Sequence, residues 1–446
     1  MIKNKTLLIV MCSTFLAGCS SVSGLFSESE PERRLEGERI SVLELQRSLT
    51  PDRALEEGKE FSLPKPWHNT SWPQAGGYPN HSMHNLSLSE NKLERVWKAD
   101  IGQGSTGDLP LNAQPIIADG KIFALDADLR LSAFNAENGK RIWRVDVEHE
   151  DEDEKVIGGG IAFAHGTLYI TNGYDEVLAV SPDNGDIQWR KRLPTPSRAA
   201  PTVINGRLFV TTVDSRLVAL SAKDGAGLWE YSGIGESAGL LGAASPGANA
   251  GIVVPVFSSG EVTALRVENG SVAWSDNLAS VRKYGGGLES LSDIKAMPIV
   301  DRGIIIAVSF SGKLAAIDER TGTRIWQKEI SSTQTPWVAG NLLFVLSSDN
   351  QIVALSMIDG SIFWIKQLPQ FEDEEDKEDP IHWSGPVMAG DRLIVAGSNG
   401  KLLEISAHNG DITQTVKTGE NVQITPIVAN NTLFMLSETG RLIAYR

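Results

Sequence analysis

The sequence predicts an all-β protein that folds as an eight-bladed β-propeller with four antiparallel strands in each blade. Three observations predict this fold class. Tryptophan recurs at one position of a repeat of roughly 40–50 residues, the period of propeller blades. A glycine stands four residues before most of these tryptophans, where a hairpin turn would place it. The last repeat lacks one strand, and a matching strand precedes the first repeat.

The repeated tryptophans are predicted to be structural, each filling one pocket between neighbouring sheets. They are Trp97, Trp143, Trp189, Trp229, Trp274, Trp326 and Trp364. In six units the preceding glycine is present: Gly139, Gly185, Gly225, Gly270, Gly322 and Gly360. The seventh unit departs from the rule, because Gly410 is followed four residues later by Gln414. A ring of aromatic ligand sites is the alternative interpretation of the same tryptophans.

Four strands can be assigned within a unit from short apolar or alternating runs bounded by turn residues. In the first unit we expect strands over 114–117, 121–125, 129–134 and 141–145. The other units are expected to begin near Gly160, Pro201, Pro246, Pro298, Pro336, Pro386 and Pro426. The strand missing from the eighth unit is expected at 94–98, so that the N-terminal strand completes the last blade and closes the ring.

The N-terminus resembles a bacterial lipoprotein signal. Lys3 and Lys5 precede a short apolar stretch that ends in Leu16-Ala17-Gly18-Cys19, which is similar to a lipobox. The resemblance implies cleavage before Cys19 and lipidation of that residue, and Ser20 after it implies sorting to the outer membrane. We therefore expect a signal peptide over 1–18, a lipidated flexible tether over 19–65 with a short helix over 41–48, and a propeller over 66–446.

Charge and cysteine content narrow the function classes. The formal net charge is −15, from 56 acidic and 41 basic residues, so binding to nucleic acid is not expected. Cys12 and Cys19 are the only cysteines, and Cys12 lies in the predicted signal peptide, so the mature chain can form no internal disulfide.

Motifs for catalysis or metal binding are weak. The acidic runs 148–154 and 372–379 lack the spacing of a calcium loop and are interpreted as solvated loops, with cation binding or a basic partner as the alternative. His81 and His84 are interpreted as loop residues rather than metal ligands. We expect no cofactor, no metal and no catalytic residue.

The Gly-x-x-x-Trp unit resembles the repeat of quinoprotein (PQQ-like) propellers. The stretch Trp72-Pro73-Gln74-Ala75-Gly76-Gly77 with His81 is similar to the segment that leads into them. Together with the lipobox and eight units, these features resemble the BamB family of lipoproteins. That resemblance implies a non-catalytic subunit of the outer-membrane β-barrel assembly machinery, a monomer within a complex that docks on the POTRA domains of BamA and contacts unfolded outer-membrane protein clients.

Two site residues follow from this resemblance. Gly235-Glu236-Ser237 and Leu291-Ser292-Asp293 are similar to two loop motifs of the family, which implies that Glu236 and Asp293 bind the partner. The family's next acidic position is occupied by Lys295. Both motifs, and the long insertions 146–160, 231–246, 275–297 and 365–385, are expected on one face of the ring, opposite the tight Asn-Gly turns.

Two other functions stay open at this point. A PQQ-dependent dehydrogenase would share the propeller, although many such enzymes use a vicinal cysteine pair that this sequence lacks. A propeller that binds another envelope protein or a polysaccharide would use the same exposed loops and edges.

Overall fold

The structure is a computed structural model that describes residues 49–52, 62–149, 154–235, 243–279 and 293–446. Packing separates the chain into residues 1–49 and residues 50–446, and the second unit contains every strand reported below. Among the described residues, no helix is long and apolar enough to cross a membrane.

The first strand, β1, spans Arg95–Asp100 and is followed by four blades in chain order. Blade 1 contains β2 (Ile116–Ala118), β3 (Lys121–Leu125), β4 (Arg130–Asn135) and β5 (Arg141–Asp146). Blade 2 contains β6 (Gly160–Ala164), β7 (Thr167–Thr171), β8 (Glu176–Val180) and β9 (Ile187–Arg192). Blade 3 contains β10 (Thr202–Ile204), β11 (Arg207–Thr211), β12 (Arg216–Ser221) and β13 (Gly227–Ser232). Blade 4 contains β14 (Gly247–Ala248), β15 (Ile252–Val254), β16 (Glu261–Arg266) and β17 (Val272–Asn277).

Four further blades follow, with one added hairpin. Blade 5 contains β18 (Ile299–Asp301), β19 (Ile304–Val308), β20 (Leu314–Asp318) and β21 (Arg324–Lys328). Blade 6 contains β22 (Trp337–Ala339), β23 (Leu342–Leu346), β24 (Gln351–Ser356) and β25 (Ile362–Gln367). The hairpin β26 (Phe371–Asp373) and β27 (Glu378–Pro380) precedes blade 7, which contains β28 (Trp383–Ala389), β29 (Arg392–Gly397), β30 (Lys401–Ser406) and β31 (Ile412–Lys417). Blade 8 contains β32 (Ile427–Ala429), β33 (Thr432–Leu436) and β34 (Arg441–Tyr445).

Each blade is an antiparallel sheet with its strands in sequence order, and β1 supplies the fourth strand of blade 8. In that closure Trp97 pairs with Ala444. The backbones of Glu94 and Arg446 exchange hydrogen bonds of 2.8 and 3.0 Å beyond the strand ends. The structure therefore confirms the predicted fold class, the eight blades and the closure of the ring by the N-terminal strand.

The predicted strands of blade 1 agree with the observed ones to within two residues at each end. The seventh unit begins earlier than expected, at Trp383 rather than near Pro386, because β28 continues through a register shift between Ser384 and Val387. The inner strands are buried along nearly their whole length, whereas fourth strands such as β5 and β13 remain largely exposed. Neighbouring sheets cover both faces of the inner strands, which explains their almost continuous apolar runs.

The ring has two distinct faces. The turns between first and second strands, and the Asn-Gly turns between third and fourth strands, lie at one end of the blades, which we call the turn face. The connections from each fourth strand to the next blade lie at the other end, which we call the loop face. All four predicted insertions are such connections.

Residues 67–88, which we call the belt, run around the inside of the ring at the turn face and bond to the first strand of every blade or to the turn that follows it. Asn69 accepts from blade 8 and Trp72 pairs with Ile117 of blade 1 at 2.8 Å in both directions. The next contacts, in chain order, are Pro73 with Phe163, the Gln74 side chain with Val203, Pro79 with Ala248, Asn80 with Val300, His84 with Gly340 and Leu86 with Met388. The belt thus visits blades 8, 1, 2, 3, 4, 5, 6 and 7 in ring order.

The belt also fills the turn-face end of the central channel. Trp72 and Met83 are buried, and the indole of Trp72 stacks on Trp337 of blade 6 at 6.2 Å between ring centroids. Gln114 fixes this arrangement, because its side-chain oxygen accepts from the Trp72 indole (3.2 Å) and from the Gly76 amide (2.9 Å).

Parts of the range predicted to be a tether lie against the ring. The Asp52 amide donates to the Ile362 carbonyl, and its carboxylate accepts from the Ile362 amide, both at 3.0 Å. The same carboxylate pairs with Lys328 at 2.6 Å. Asp52 thus bonds to the exposed edge of blade 6 and to a lysine of blade 5. The predicted helix at 41–48 lies outside the described residues, and the boundary at residue 66 stays a prediction.

Candidate partner-binding surface and central channel

Each repeated tryptophan lies against a glycine of the next blade. A Cβ built on Gly270, for example, would stand 2.5 Å from Cε3 of Trp229, so no side chain fits there. The seven tryptophan–glycine pairs are Trp97–Gly139, Trp143–Gly185, Trp189–Gly225, Trp229–Gly270, Trp274–Gly322, Trp326–Gly360 and Trp364–Gly410. The glycine and the tryptophan of one hairpin therefore belong to two different blade interfaces.

Hydrogen bonds and ring contacts fix these tryptophans. Six indole N–H groups donate, at 2.7 to 3.3 Å, to the carbonyl three residues before the contacted glycine: those of Ala136, Pro182, Val267, Glu319, Met357 and Ala407. At the Trp189 interface the corresponding carbonyl, Ala222, accepts from the Tyr169 hydroxyl instead. In each of these seven sheets an alanine stands opposite the tryptophan, as Ala219 does for Trp229. These contacts hold the blades together and favour the structural interpretation.

Blade 7 replaces the tryptophan arrangement with a polar one. Gln414 pairs with Glu404, which takes the position of the alanine, and the Glu404 carboxylate lies 2.5 Å from Nε of the buried Arg392. The neighbouring blade 8 has no hairpin between its third and fourth strands, because β1 supplies the fourth. No turn glycine therefore faces Gln414, which gives a physical reason why the tryptophan is absent from this blade.

The predicted partner-binding residues fall at two connections on the loop face. Glu236 lies outside the described residues, as does Cys19. The chain just before Glu236 is held by the buried carboxylate of Glu261, which is 4 % exposed and accepts from the Tyr231 hydroxyl at 2.6 Å and from the Ile234 amide at 2.9 Å. The Ile234 side chain is 58 % exposed. The bonds to Glu261 thus fix the backbone at an apolar side chain that is exposed to solvent.

Burial and the contact with Glu261 raise the pKa of the Tyr231 phenol, so it remains a proton donor to that carboxylate at neutral pH. Tyr231 also stacks on Phe257 of blade 4 at 6.3 Å. The start of this connection is therefore fixed to two neighbouring blades.

Asp293 is buried to a greater degree than a direct contact residue would be, with 7 % of its surface exposed. Its carbonyl accepts from the Phe310 amide at 2.9 Å, which fixes the chain at the start of the segment that leads into blade 5. Its negative charge acts on Lys295 two residues later. The role of Asp293 in partner binding stays a prediction, and its burial favours an indirect one.

The central channel opens toward the loop face as a cavity of about 330 Å³. Its walls come from the residues just before the first strands, and Ala75 of the belt contributes to its floor. Two of the lining side chains are cationic, Arg198 before blade 3 and Lys295 before blade 5, and none of the described lining residues is acidic. The surrounding channel walls lower the pKa of Lys295 by desolvation, although its side chain remains exposed to the cavity, and Asp293 acts in the opposite direction.

This lining does not match the needs of PQQ-dependent oxidation. Such chemistry uses a divalent cation beside the quinone, and hard cations need oxygen ligands, above all carboxylates. The channel walls supply amides, hydroxyls and two cations instead. In the described part of the chain, no group of three or more His, Cys, Asp or Glu residues could hold a metal ion.

The two histidines of the belt serve packing. His81 is buried, its Nδ1–H donates to the Pro298 carbonyl at 2.8 Å, and burial lowers its pKa to about 4. His84 contacts Asp301 of blade 5 at 3.4 Å. Of the acidic runs, 372–379 forms most of the exposed hairpin β26–β27, and part of 148–154 lies outside the described residues.

Three residues of this region were not predicted from the sequence: Glu261 as the support of the connection after β13, and Lys295 and Arg198 as channel residues. Glu261 is the first residue of a third strand, a position that an alternating pattern assigns to solvent. It is buried because Tyr231 and the following connection cover it. A hydroxyl-bearing Tyr at the end of the preceding blade was the one available signal.

Comparison with known proteins agrees with this architecture. The family described as "Outer membrane protein assembly factor BamB" matches residues 86–154, 127–366 and 370–446. A protein of that name from Yersinia pestis is 24 % identical over 374 residues, which cover 82 % of this chain and 92 % of the relative. The Escherichia coli K12 protein of the same name is 26 % identical over 367 residues, which cover 80 % of this chain and 90 % of the relative.

Solved structures show the same fold. The crystal structure of BamB from Moraxella catarrhalis superposes with a TM-score of 0.67 at 20 % identity, covering 80 % of this chain and 100 % of that one. A quinohemoprotein alcohol dehydrogenase from Comamonas testosteroni gives a TM-score of 0.65 at 12 % identity, covering 84 % of this chain and 80 % of that one. The dehydrogenase is similar in fold alone, whereas the family match extends over most of the sequence, and the chain therefore belongs to the family of the outer membrane protein assembly factor BamB.

Proposed function

We propose that this chain is a non-catalytic, lipid-anchored scaffold on the periplasmic face of the outer membrane. It docks through its loop face on the POTRA domains of BamA and aids the folding and insertion of outer-membrane proteins. The observation that supports the docking surface is the connection after β13, where Glu261 fixes the backbone and the exposed Ile234 precedes Glu236 by two residues in the sequence. Protein interfaces commonly combine apolar contact residues on a rigid backbone with a polar or charged rim.

Charge reversal on the two faces tests the docking surface. Glu236→Lys is expected to weaken binding to purified POTRA domains at least tenfold by calorimetry. Glu137→Lys, on an exposed turn-face residue, is the matched control and should bind as the unaltered protein does. Equal affinities for both variants, with unchanged far-UV circular dichroism, would rule out this placement of the interface.

The role of the Glu261 carboxylate in fixing this connection can be tested without changing Glu236. Glu261→Gln keeps the size of the side chain but replaces one of its acceptor oxygens with an amide NH₂, which cannot accept the bond from the Ile234 amide or the Tyr231 hydroxyl. We expect weaker POTRA binding with the blades intact. Asp293→Asn, which preserves packing, should have a smaller effect because the residue is buried.

The lipid anchor is tested at Cys19. Cys19→Ala is expected to abolish incorporation of labelled palmitate and to release the protein from the outer-membrane fraction. Retention of the variant in that fraction would show that attachment does not depend on this residue.

The absence of catalysis is tested by supplying the chemistry of the alternative function. With PQQ, calcium and an electron-accepting dye present, we expect no oxidation of primary alcohols. The reason is the lining of the channel, which offers no carboxylate among the described residues to hold the cation or to act as a base. Dye reduction that depends on the protein would refute this part of the proposal.

A further inference from the structure

The loop-face end of the central channel is positively charged in an acidic protein. The chain carries 56 acidic residues in 446, so 19 lining residues of average composition would include about two of them. The described lining has none, and it includes Arg198 and Lys295. The two cations enter from different blades, in the segments that lead into blades 3 and 5.

Neither cation is neutralised by the described parts of the protein. No carboxylate of the described residues lies within ion-pair distance of the Arg198 guanidinium or the Lys295 ammonium group, whereas Arg130 and Arg190 are each paired with one. Among the described residues, Asp293 is the negative charge that acts on Lys295. Two cations that face the same cavity repel each other, and a bound anion would offset that repulsion.

Neutral donors stand beside the cations. A second cavity of about 340 Å³ lies between blades 5 to 7 and shares four lining residues with the central cavity: Lys295, Thr333, Gln334 and Gln423. The oxygen of the Gln334 amide accepts from the Gly385 amide and the Thr425 hydroxyl at 3.4 and 3.5 Å, which leaves its NH₂ group as a donor. Amide N–H groups and cationic side chains are the donors that commonly bind carboxylates.

We propose that this end of the channel binds a small polycarboxylate, one carboxylate at Lys295 and another at Arg198. Two cations from separate blades favour a ligand with at least two charges over a single acetate-like ion. The closed floor, formed by the belt beneath Ala75, confines the ligand to the loop-face end and to the size of the cavity. This inference does not depend on the proposed function, because ligand binding by the two cations can be measured without any partner protein.

Calorimetric titration with citrate, succinate and acetate at matched ionic strength tests the proposal. Saturable binding is expected for citrate and succinate, and affinity for acetate should be at least tenfold weaker. Lys295→Met and Arg198→Met should each weaken citrate binding at least tenfold, whereas Lys295→Arg should largely retain it. Lys401→Met, which removes an exposed cation at the start of β30, is the matched control and should bind citrate normally.

Loss of folding is distinguished from loss of the ligand site by measuring each variant without citrate. Removing either cation should leave the melting temperature nearly unchanged, because both side chains are accessible to solvent in the cavity. The proposal is overturned if no citrate binding saturates, if Lys401→Met weakens binding as much as Lys295→Met, or if neither channel variant changes it. POTRA binding by Arg198→Met, which alters neither loop motif, should be preserved, so that failure of this inference and failure of the proposed function give different results.

Discussion

Replacing Gly270 with alanine should destabilise the propeller through Trp229 of the preceding blade. The new Cβ would stand 2.5, 2.7 and 3.1 Å from three indole carbons, against an optimal separation of about 3.5–4.0 Å. The ring must therefore move by about 1 Å, which also stretches its 3.2 Å bond to the Val267 carbonyl. Overpacking of this kind costs about 1–3 kcal/mol and a weakened hydrogen bond about 0.5–1.5 kcal/mol.

The backbone conformation adds a separate cost that a control can remove. Gly270 has φ +72°, which costs alanine about 1–2 kcal/mol. Gly206 has φ +71° in a turn of blade 3, and no atom lies within 4 Å of a Cβ built there. Gly206→Ala should therefore show the backbone cost alone. The excess for Gly270→Ala over Gly206→Ala should be about 1.5–4.5 kcal/mol in the free energy of unfolding.

Urea unfolding followed by far-UV circular dichroism measures both variants without relying on tryptophan emission. The same two substitutions are then made in a Trp229→Ala background, which by itself should cost about 3–5 kcal/mol. There the excess at Gly270 should vanish, because no indole remains to be displaced. Equal costs at the two glycines, or an excess that persists without Trp229, would refute the view that this tryptophan locks neighbouring blades.

Three further perturbations test other parts of the ring. Glu404→Ala should lower the free energy of unfolding by about 3–5 kcal/mol because it leaves Arg392 buried without its partner, and the double variant with Arg392→Met should recover most of that loss in urea unfolding. His81 has a folded-state pKa of about 4, below the unfolded value of 6.5. The free energy of unfolding should therefore be highest above pH 6.5 and should fall by about 3 kcal/mol as the pH drops from 6.5 through 4. His81→Asn, which tolerates the left-handed backbone there, should flatten this dependence, and an unchanged pH profile would exclude His81 as its source. Lys328→Ala should cost less than about 1 kcal/mol because its pair with Asp52 is partly exposed, and the difference should shrink in 1 M salt, measured by the urea midpoint.

The blades and the closure of the ring could be predicted because their determinants repeat at fixed offsets. A glycine of positive φ and a tryptophan four residues later mark the hairpins of six blades, and both features are visible in one sequence. The contact between them could not be read in the same way, because each tryptophan packs on the glycine of the following repeat rather than its own. Gln414 was recognised as an exception, but its partner Glu404 was not, because pairing across strands is a tertiary property.

The candidate site was less predictable than the fold. Sequence similarity pointed to Asp293, yet its burial depends on the residues packed around it. Glu261 and Asp52 bond to backbone groups that carry no signature in the sequence. The channel cations lie nearly 100 residues apart and meet only because the ring brings the starts of all first strands to one axis.

The belt and β1 set a condition on how the chain can fold. Trp97 pairs with Ala444, so β1 has no partner strand until a residue more than 300 positions later in the chain has been made. The belt, made earlier still, bonds to blades 8 and 7 as well as to blade 1. Contacts of such long range are formed late and slowly, and the edges awaiting them are prone to pair with other chains. A polypeptide truncated within blade 8 would therefore leave both β1 and the belt without their final partners. Loss of β34 should then destabilise the whole ring rather than one blade.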